Sequence, residues 1–523
     1  MTETASADVV DDLLSRLARP GRVGMSGSVY ETGRVLALLP GAPGNARRWS
    51  WMLDRQGPDG SWGGPGPYRL VPTLSALEAI LAAQHLADRH RPSGVPDAIR
   101  PRAAVAASRA LAFLIADPVD TLPDTVAAEL VAAHLADRID VFLAAGPPDP
   151  SWRTPLPRHV DPALHRHVER RVLAAGRVPE KVEHSLEALG PACARLLNRP
   201  AHMLVGSSPA ASAAWLRANG PDDAVGGQLA DLLARCPDGV PCADPITAFE
   251  LAWIWSTLLD TGCRPAPPGR LARIVAAVVD EDGVRGAPGL PPDADDTAVA
   301  LYVLTRLGGT PDLAPLLRFE ASDRFECYPG EATPSSSTNA HALDALGAHL
   351  LRRPGADARV RRAHAKAATW LCDTQSDAGT WADKWHASPV YAVYCAARAL
   401  HRYGPPAARS AVRRSCRWLL ETQHPDGSWG VFGGTQEETA YALVTLAQCG
   451  TDPLVADPLV ADRYVADQFV ADRFVADAIA RGRAYLDAAE GMPHPPLWHD
   501  KDLFTPPAIV EAACFAARRR EGR

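Results

Sequence analysis

The sequence predicts an all-α protein, and three observations carry that prediction. Apolar residues recur at helical spacing along most of the chain, as in TLSALEAILAAQHLADR and DDTAVALYVLTRLGG. Stretches with strand-like alternation are scarce, and Gly and Pro residues lie between the apolar segments. The 523 residues are too many for one ordinary core, so we expect two helical domains or a single very large one.

The N-terminal segment and the composition narrow the class of protein. MTETASADVVDDLLSRLARP is acidic and lacks the apolar stretch of a signal peptide. No run approaches the roughly 18 apolar residues of a membrane helix, so we expect no membrane span. A net charge of −7 gives no basic surplus, which argues against a nucleic-acid partner. The ten cysteines contain no C-x-x-C pair, and we interpret them as reduced thiols of a cytoplasmic protein.

A repeated unit and two connectors organise the chain. The Pro-dense segments 145–160 and 263–269 would break any helix and are predicted to be connectors. The unit occurs three times, at 51–63, 370–381 and 418–430, and each copy has a Trp five residues before a Gln and a second Trp six residues after it. The Gln can bond backbone at a helix end, an intervening Gly permits a positive φ, and the second Trp packs over the join. We therefore expect these units to pin successive hairpins of a closed helical ring.

A second repeat is of a different kind. The triplet Val-Ala-Asp occurs five times between residues 451 and 477, at five-residue intervals. A period of five matches neither a helix nor a strand. We interpret the segment as an expanded surface loop or an irregular helix extension, with a homodimer contact as the alternative.

Three carboxylates, Asp293, Asp295 and Asp296, crowd the junction between GLPP and the helical pattern that follows it. Helix capping would account for two of them, and metal binding by all three is a second interpretation. Acid catalysis is the third, because carboxylates this close cannot all ionise easily and one is held protonated. A neutral carboxylic acid beside a dry, aromatic cavity can protonate a carbon–carbon double bond, and the many Trp and Tyr residues suit such a cavity.

The Gln–Trp units and the Asp-x-Asp-Asp run together resemble those of the class II terpene cyclases, the relatives of squalene–hopene cyclase. Within that group the chain is most similar to bacterial class II diterpene cyclases. The resemblance covers roughly residues 26–515. Further stretches that carry it are SGSVYETG (26–33), LPDTVAAEL (122–130), YPGEATPSSSTNAHAL (328–343), DKWHASPVY (383–391) and PPLWHDKDLFTP (495–506).

The resemblance implies an architecture of two α/α-barrel domains, called β and γ, with the active site between them. The γ barrel would be inserted into the β domain, and the additional α domain of class I cyclases is not expected. The implied division is residues 1–44 for the first part of β, 45–225 for γ, and 226–523 for the main part of β, which carries the Asp-x-Asp-Asp run.

The resemblance also implies the catalytic residues. The family's middle aspartate is the general acid, which is Asp295 here, and Asp293 and Asp296 would tune its acidity. In relatives an Asn of a P-S-x-x-T-N stretch hydrogen-bonds the acid. Its counterpart is Asn339, with Ser335 at the accompanying hydroxyl position.

Substrate binding is assigned by the same resemblance, together with the need of a trianionic diphosphate for cationic partners. Relatives keep the diphosphate through the reaction and use Mg²⁺ to help hold it. Glu129 lies in a stretch that resembles an acidic γ-domain motif and is the candidate metal ligand. The residues assigned to substrate binding are Lys181, Lys501, Arg177, Tyr30, Trp385, His184 and Trp498.

His184 is a special case, because it marks a departure from the family pattern. Plant copalyl diphosphate synthases quench the final cation with a His of an H-S-L-E-G motif and a distant Asn. The chain has EHSLEAL, which supplies His184, but Pro237 stands where the Asn is expected. The terminating base, and with it the product skeleton, therefore stays open.

These expectations combine into a predicted activity. The protein is predicted to be an enzyme that protonates the terminal alkene of a linear prenyl diphosphate through Asp295 and retains the diphosphate. Geranylgeranyl diphosphate going to a bicyclic diphosphate is the first choice of substrate, and farnesyl diphosphate going to drimenyl diphosphate is the alternative. Two other classes stay open: a protein prenyltransferase β-subunit, which would need a zinc set of Asp, Cys and His, and a non-catalytic prenyl-binding helical-repeat protein.

Overall fold

The computed structural model describes residues 21–89, 94–144, 152–198, 204–265, 268–450 and 468–519. Helices dominate this part of the chain, so the predicted all-α class is confirmed. The α-helices are α1 Val29–Leu38, α2 Asn45–Asp54, α3 Leu70–Asp88, α4 Arg100–Ala116, α5 Ala128–Ala144, α6 Leu164–Ala175, α7 Glu180–Glu183, α8 Pro191–Leu196, α9 Pro209–Asn219, α10 Asp223–Arg235, α11 Thr247–Asp260, α12 Pro268–Ala276, α13 Ala294–Arg306, α14 Ala314–Leu317, α15 Ser336–Arg352, α16 Ala358–Thr374, α17 Pro389–Tyr403, α18 Arg409–Thr422, α19 Gln436–Thr445, α20 Gln468–Ala488 and α21 Pro507–Arg518.

Shorter elements complete the description. Strands β1 and β2, at Trp498–His499 and Leu503–Phe504, pair antiparallel with Trp498 opposite Phe504. The remaining turns of helix are 3₁₀ segments at Gly66–Arg69, Leu186–Ala188, Val205–Ser207 and Pro406–Ala408, and a π turn at Leu446–Gly450.

Six inner helices form a closed ring in the C-terminal half of the chain. Each of α11, α13, α15, α17, α19 and α21 contacts the next, and α21 returns to α11. Helices α12, α16, α18 and α20 pack outside them. The sequence separates the two layers: α17 is buried without interruption from Val390 to Leu400, whereas α16 buries only a stripe that includes Val360, Ala363, Ala367 and Leu371. The stripe faces the inner ring alone, as expected of an outer helix.

A smaller ring is built from the preceding residues. Helix α1 contacts α3, α3 contacts α5, and the 3₁₀ turn Leu186–Ala188 joins α5 to α9, which returns to α1. The two rings are the α/α barrels that the fold class requires.

Helix α1 therefore packs in the smaller ring, although the sequence division placed residues 1–44 with the larger domain. The physical reason is its apolar face, since Tyr30 and Leu36 are almost completely buried in the apolar core of the smaller ring. Residues 1–20, which would carry the rest of that predicted first segment, lie outside the described residues. The insertion of one domain into the other stays a prediction.

The three Gln–Trp units have one common geometry. The Nε2 atoms of Gln56, Gln375 and Gln423 each donate to the carbonyl of the Gly four residues later and to a carbonyl of a neighbouring outer helix, at 2.8–3.0 Å. The three glycines have φ of 89–95°. The second Trp of each unit donates its indole N–H to a backbone carbonyl ten residues earlier, at 2.7–2.8 Å. The predicted pinning of helices in the rings is confirmed.

Other sequence expectations meet the structure only in part. Most of the Val-Ala-Asp segment, residues 451–467, lies outside the described residues, and its last two triplets fall within α20. One segment, Gly66–Asp88, is long and apolar enough to span a membrane by length and composition, which the sequence expectation overlooked. The qualifying window is 72% buried within the protein, because α3 is a core helix of the smaller ring. The ten cysteines are all free.

Candidate active site

The acid cluster is fixed by the first turn of α13. Asp293 is the N-cap, and its carboxylate accepts the backbone N–H of Asp296 at 2.7 Å. Its own N–H donates to the carbonyl of Val284 at 3.1 Å. Two prolines precede the cap and end the loop, since proline cannot continue a ladder of backbone hydrogen bonds. This local geometry places Asp293, Asp295 and Asp296 in one buried turn, each less than 8% exposed.

Crowding and burial shift the proton affinities of two of these carboxyls. Burial, and then the charge of Asp295, raises the pKa of Asp293 to about 7. Burial and the neighbouring Asp293 raise the pKa of Asp296 well above its ordinary range. One oxygen of Asp296 is buried and has no hydrogen-bond partner among the described residues, which fits a neutral carboxyl better than an ionised one. The turn therefore stores protons at neutral pH.

Asp295 is held by a histidine that the sequence reasoning missed. Nδ1 of His341, on the second turn of α15, lies 2.6 Å from Oδ1 of Asp295. Burial alone would lower the pKa of His341, but the Asp295 carboxylate outweighs it and raises that pKa well above the ordinary range. The raised pKa favours a protonated His341 whose Nδ1–H donates to Asp295. The sequence could have indicated this residue, because His341 lies two residues from Asn339 in the stretch 328–343.

Asn339 does not contact Asp295, contrary to the predicted hydrogen bond, and Ser335 does not contact it either. Successive helical residues are about 100° apart, so Asn339 and His341 point to nearly opposite faces of α15. The Asn339 amide instead bonds both backbone groups of Phe325, at 2.8 and 3.0 Å, and the carbonyl of Ser335. Ser335 is the N-cap of α15 and also contacts Asp383 at 3.3 Å. Both residues hold the frame of the site.

A cavity of about 120 Å³ opens beside the three aspartates. Its residues come from the N-terminal parts of α11 and α13, from the loop before α17, and from the hairpin of β1 and β2. Trp385 and Trp498, both selected from the sequence, line it, and the Trp498 indole donates to the buried Glu437 at 2.6 Å. The other aromatic residues of the wall are Phe249, Trp253, Tyr328 and Phe504. Such rings stabilise a carbocation through their π faces without acting as nucleophiles.

The comparisons with known proteins agree with this geometry. Residues 332–491 match the squalene-hopene cyclase C-terminal domain family. Over 99% of its length the chain is 37% identical to copalyl diphosphate synthase of Streptomyces anulatus, of which it covers 92%. The chain belongs to the bacterial class II diterpene cyclases.

Two further comparisons extend over nearly the whole diterpene cyclase. The chain is 40% identical to labda-7,13-dienyl diphosphate synthase of Streptomyces clavuligerus, over 95% of this chain and 90% of that protein. The solved structure of ent-copalyl diphosphate synthase from Streptomyces platensis matches it with a TM-score of 0.86, at 38% identity and with 98% of each chain covered. The enzyme class predicted from the motifs is confirmed.

Lys501 of the cyclase is not available to a diphosphate, contrary to the prediction. Its side chain is fully buried, and its ammonium donates to Glu31, to Glu187 at 2.8 Å, to Ser208 at 2.8 Å and to the carbonyl of His184 at 2.9 Å. A lysine ammonium has three protons, so these acceptors already use all of them. Tyr30 belongs to the same network rather than to the cavity wall.

The hydroxyl of Tyr30 donates to Glu187 at 2.7 Å, and Tyr30 is only 1% exposed. Arg177 and Lys181, by contrast, are exposed residues at the end of α6 and in α7, and neither lines the cavity. His184 lies between these regions and contacts Asp500, a cavity residue, at 2.9 Å.

The predicted metal ligand does not form a site with other described residues. Glu129 is exposed in the first turn of α5. Within the described ranges, no group of three or more His, Cys, Asp or Glu side chains is arranged to hold a metal ion. The described residues thus offer no preformed all-protein site for Mg²⁺.

Proposed function

We propose that the protein cyclises geranylgeranyl diphosphate to a bicyclic diphosphate, by a reaction that begins with protonation of the terminal alkene. The observation that carries this proposal is the Asp295–His341 pair at the edge of an aromatic cavity. The relatives' names, copalyl and labda-7,13-dienyl diphosphate synthase, support a twenty-carbon substrate over farnesyl diphosphate.

Asp295 is the proposed proton donor, and the structure supports this role through the orientation of its partner. Nδ1 of His341 faces Oδ1 of Asp295, so we assign the transferable proton of the active acid to Oδ2. The alkene π electrons form the new C–H bond, the O–H electrons return to Asp295, and a tertiary cation results. His341 stabilises the Asp295 carboxylate that is left after the proton has been transferred. The raised pKa values of Asp293 and Asp296 favour their neutral forms, so fewer negative charges surround Asp295 while the cation forms.

The remaining steps require little of the protein beyond shape and exclusion of water. Successive alkenes attack the cationic carbon, and the aromatic wall stabilises each positive charge without bonding to it. A base then removes a proton from a carbon beside the final cation. The diphosphate is not ionised, so the product keeps it.

Several finer features are part of this proposal. Mg²⁺ would arrive with the diphosphate, as the resemblance to the family implies, and Arg177, Lys181 and Glu129 remain candidates at the protein surface. The ten free cysteines support a cytoplasmic location. A homodimer contact through the Val-Ala-Asp segment and the insertion of the γ domain into the β domain are retained as proposals.

The decisive experiment is incubation with geranylgeranyl and farnesyl diphosphates, each with and without Mg²⁺, followed by dephosphorylation and identification of the alcohols. We expect a bicyclic alcohol from geranylgeranyl diphosphate. If both substrates give only linear alcohols, the proposal is wrong. If only farnesyl diphosphate is cyclised, to a drimenyl-type alcohol, then farnesyl diphosphate is the substrate instead of geranylgeranyl diphosphate. Comparison of the two Mg²⁺ conditions tests whether the ion is needed at all.

A further inference from the structure

One carboxylate of the cavity is not part of the acid turn. Asp500 lies in the tight turn between β1 and β2, and it lines the same aromatic cavity as Asp293, Asp295 and Asp296. Its backbone is fixed from two sides, since its N–H donates to the carbonyl of Asp502 at 3.1 Å and its carbonyl accepts the N–H of Val126 at 3.0 Å. These two bonds hold the backbone of Asp500 in place beside the cavity.

The two oxygens of the Asp500 carboxylate have different surroundings. Oδ1 accepts the backbone N–H of Lys501 at 2.6 Å and faces Nε2 of His184 at 2.9 Å. Oδ2 has no hydrogen-bond partner among the residues that the structure describes. One oxygen is held, and the other is free to accept a proton.

His184 keeps this carboxylate ionised. Its Nδ1 lies 2.7 Å from the carbonyl oxygen of Gly206, which can only accept, and its Nε2 faces the carboxylate. Both ring nitrogens therefore donate, and the ring is a cation. Burial would raise the pKa of Asp500, but the His184 cation outweighs it, and the pKa lies below its ordinary value.

We infer that Asp500 is the catalytic base that ends the cyclisation, with His184 as its positioning residue. This inference rests on the proposed function, since it names the group that the last step of that reaction requires. The His184 partner is thus supplied by Asp500 of the hairpin, and the Pro237 position loses the significance that the sequence comparison gave it. Asp296, whose pKa is raised well above its ordinary value, is a poor proton acceptor, so the same cavity contains a proton-holding carboxyl and an ionised carboxylate.

The step balances without a further reactant. The C–H bond of a carbon beside the final cationic centre breaks, and its electron pair becomes the new π bond of the product. The proton goes to Oδ2 of Asp500, and the diphosphate is untouched. A C–H bond beside a carbocation is far more acidic than a carboxylic acid, so a carboxylate weakened by the His184 cation is still basic enough. Its weak basicity also limits premature deprotonation of earlier cations.

The test uses the full-length Asp500→Asn variant with geranylgeranyl diphosphate, and it measures substrate consumption and products separately. We expect substrate to be consumed while formation of the wild-type product falls about 10²-fold, the order expected for a lost acid–base group. Other alkene isomers or water-quenched alcohols should replace it. Asp500→Glu restores a carboxylate and should recover part of the wild-type product.

The control is Asp97→Asn, at a side chain that is 89% exposed and distant in role from the site, and it should match wild type. An unchanged product from Asp500→Asn would overturn the inference. So would a folded Asp500→Asn protein that no longer consumes substrate, because that result would place Asp500 in binding or in the first protonation. Wild-type protein that yields only linear alcohols would instead refute the proposed function itself.

His184 provides an independent test of the same idea. His184→Gln keeps a donor toward Asp500 but removes the positive charge, whereas His184→Ala removes both. A positioning role predicts a graded shift of products, larger for Ala than for Gln, at similar substrate consumption. A loss of stability with an unchanged product ratio would mean that His184 only packs, and Asp500 would then act without it.

Discussion

The buried charges around Lys501 and those around Asp295 form two clusters that are built in opposite ways. Around Lys501, every ammonium proton has an acceptor, and the acceptors belong to elements of the smaller ring. Around Asp295, one oxygen binds the His341 cation, while Asp296 nearby has a buried oxygen without a partner among the described residues. In the Lys501 cluster all three ammonium protons are used in hydrogen bonds, whereas the Asp295 cluster borders a cavity.

The difference teaches how to separate structural charge from chemical charge. A buried ion pair whose partners use all its hydrogen-bonding capacity can hold elements together, but it has nothing left for a ligand. A buried carboxyl at a cavity wall with an unused hydrogen-bonding oxygen costs folding free energy. Its presence there therefore indicates a functional role. Four variants break or sharpen this comparison.

The largest effect is expected for Asp295→Asn. The variant removes the acidic proton but keeps the size of the side chain and a hydrogen-bonding oxygen, so the fold should survive. We expect the rate of cyclisation to fall by about 10³-fold or more, as for an essential acid. The measurement is product formed per enzyme under saturating substrate, with the melting temperature as the folding control. Near-normal turnover would remove Asp295 from the role of proton donor.

Lys501→Met should act on stability instead. It leaves Glu31 and Glu187 buried without their cation, and removal of one partner of a buried pair costs about 3–5 kcal/mol. The matched control is Lys366→Met, whose pair with Glu320 is partly exposed and should therefore cost less when it is broken. Thermal unfolding of both variants provides the readout. If Lys501→Met keeps the wild-type melting temperature but loses activity, the Lys501 cluster takes part in the reaction rather than in stability.

The comparison also explains what the sequence could predict. Helical spacing and the Gln–Trp units predict the rings, because both depend on local patterns that each element repeats. The Asp-x-Asp-Asp turn is equally local, since Asp293 caps the helix that carries Asp295 and Asp296. These features could be read without coordinates.

The errors share a cause, which is that contacts across the chain are not visible in a motif. Lys501 looked like a free cation, but its partner Glu31 lies 470 residues away in sequence. Asn339 was selected for its place in a family stretch, and only the helical phase shows that His341 faces the acid. Asp500 pairs with a histidine more than 300 residues earlier, so no spacing rule could have joined them.

A third prediction concerns the pH dependence of stability, which should reveal that the Asp295 cluster binds a proton in the folded state. The pKa of Asp293 is about 7 in the folded protein, above its ordinary value near 3.8. Its proton therefore favours the folded state fully below about pH 4, and this contribution is lost as the pH rises through about 7. Asp293→Asn keeps the helix cap and abolishes the titration. The melting temperature of wild type relative to the variant should fall from pH 4 to pH 7.

The control for this comparison is again Asp97→Asn, whose exposed carboxyl should give a curve parallel to that of wild type across the same range. Parallel curves for Asp293→Asn and wild type would mean that Asp293 is ionised in the folded protein. The turn of Asp293, Asp295 and Asp296 would then carry permanent charge, as the Lys501 cluster does.

The smallest effect is expected at the Gln–Trp units, which are hydrogen-bond networks built around a neutral amide side chain. Gln423→Ala removes donors to the carbonyls of Gly427 and Ala478 and leaves these acceptors short of partners. A loss of about 1–3 kcal/mol follows from the cost of unsatisfied buried acceptors, and activity of the folded enzyme should persist. Gln84→Ala, at an exposed position on α3, is the control and should leave the melting temperature unchanged. A Gln423→Ala protein as stable as the control would mean that the indole of Trp429 alone pins α20 to the ring.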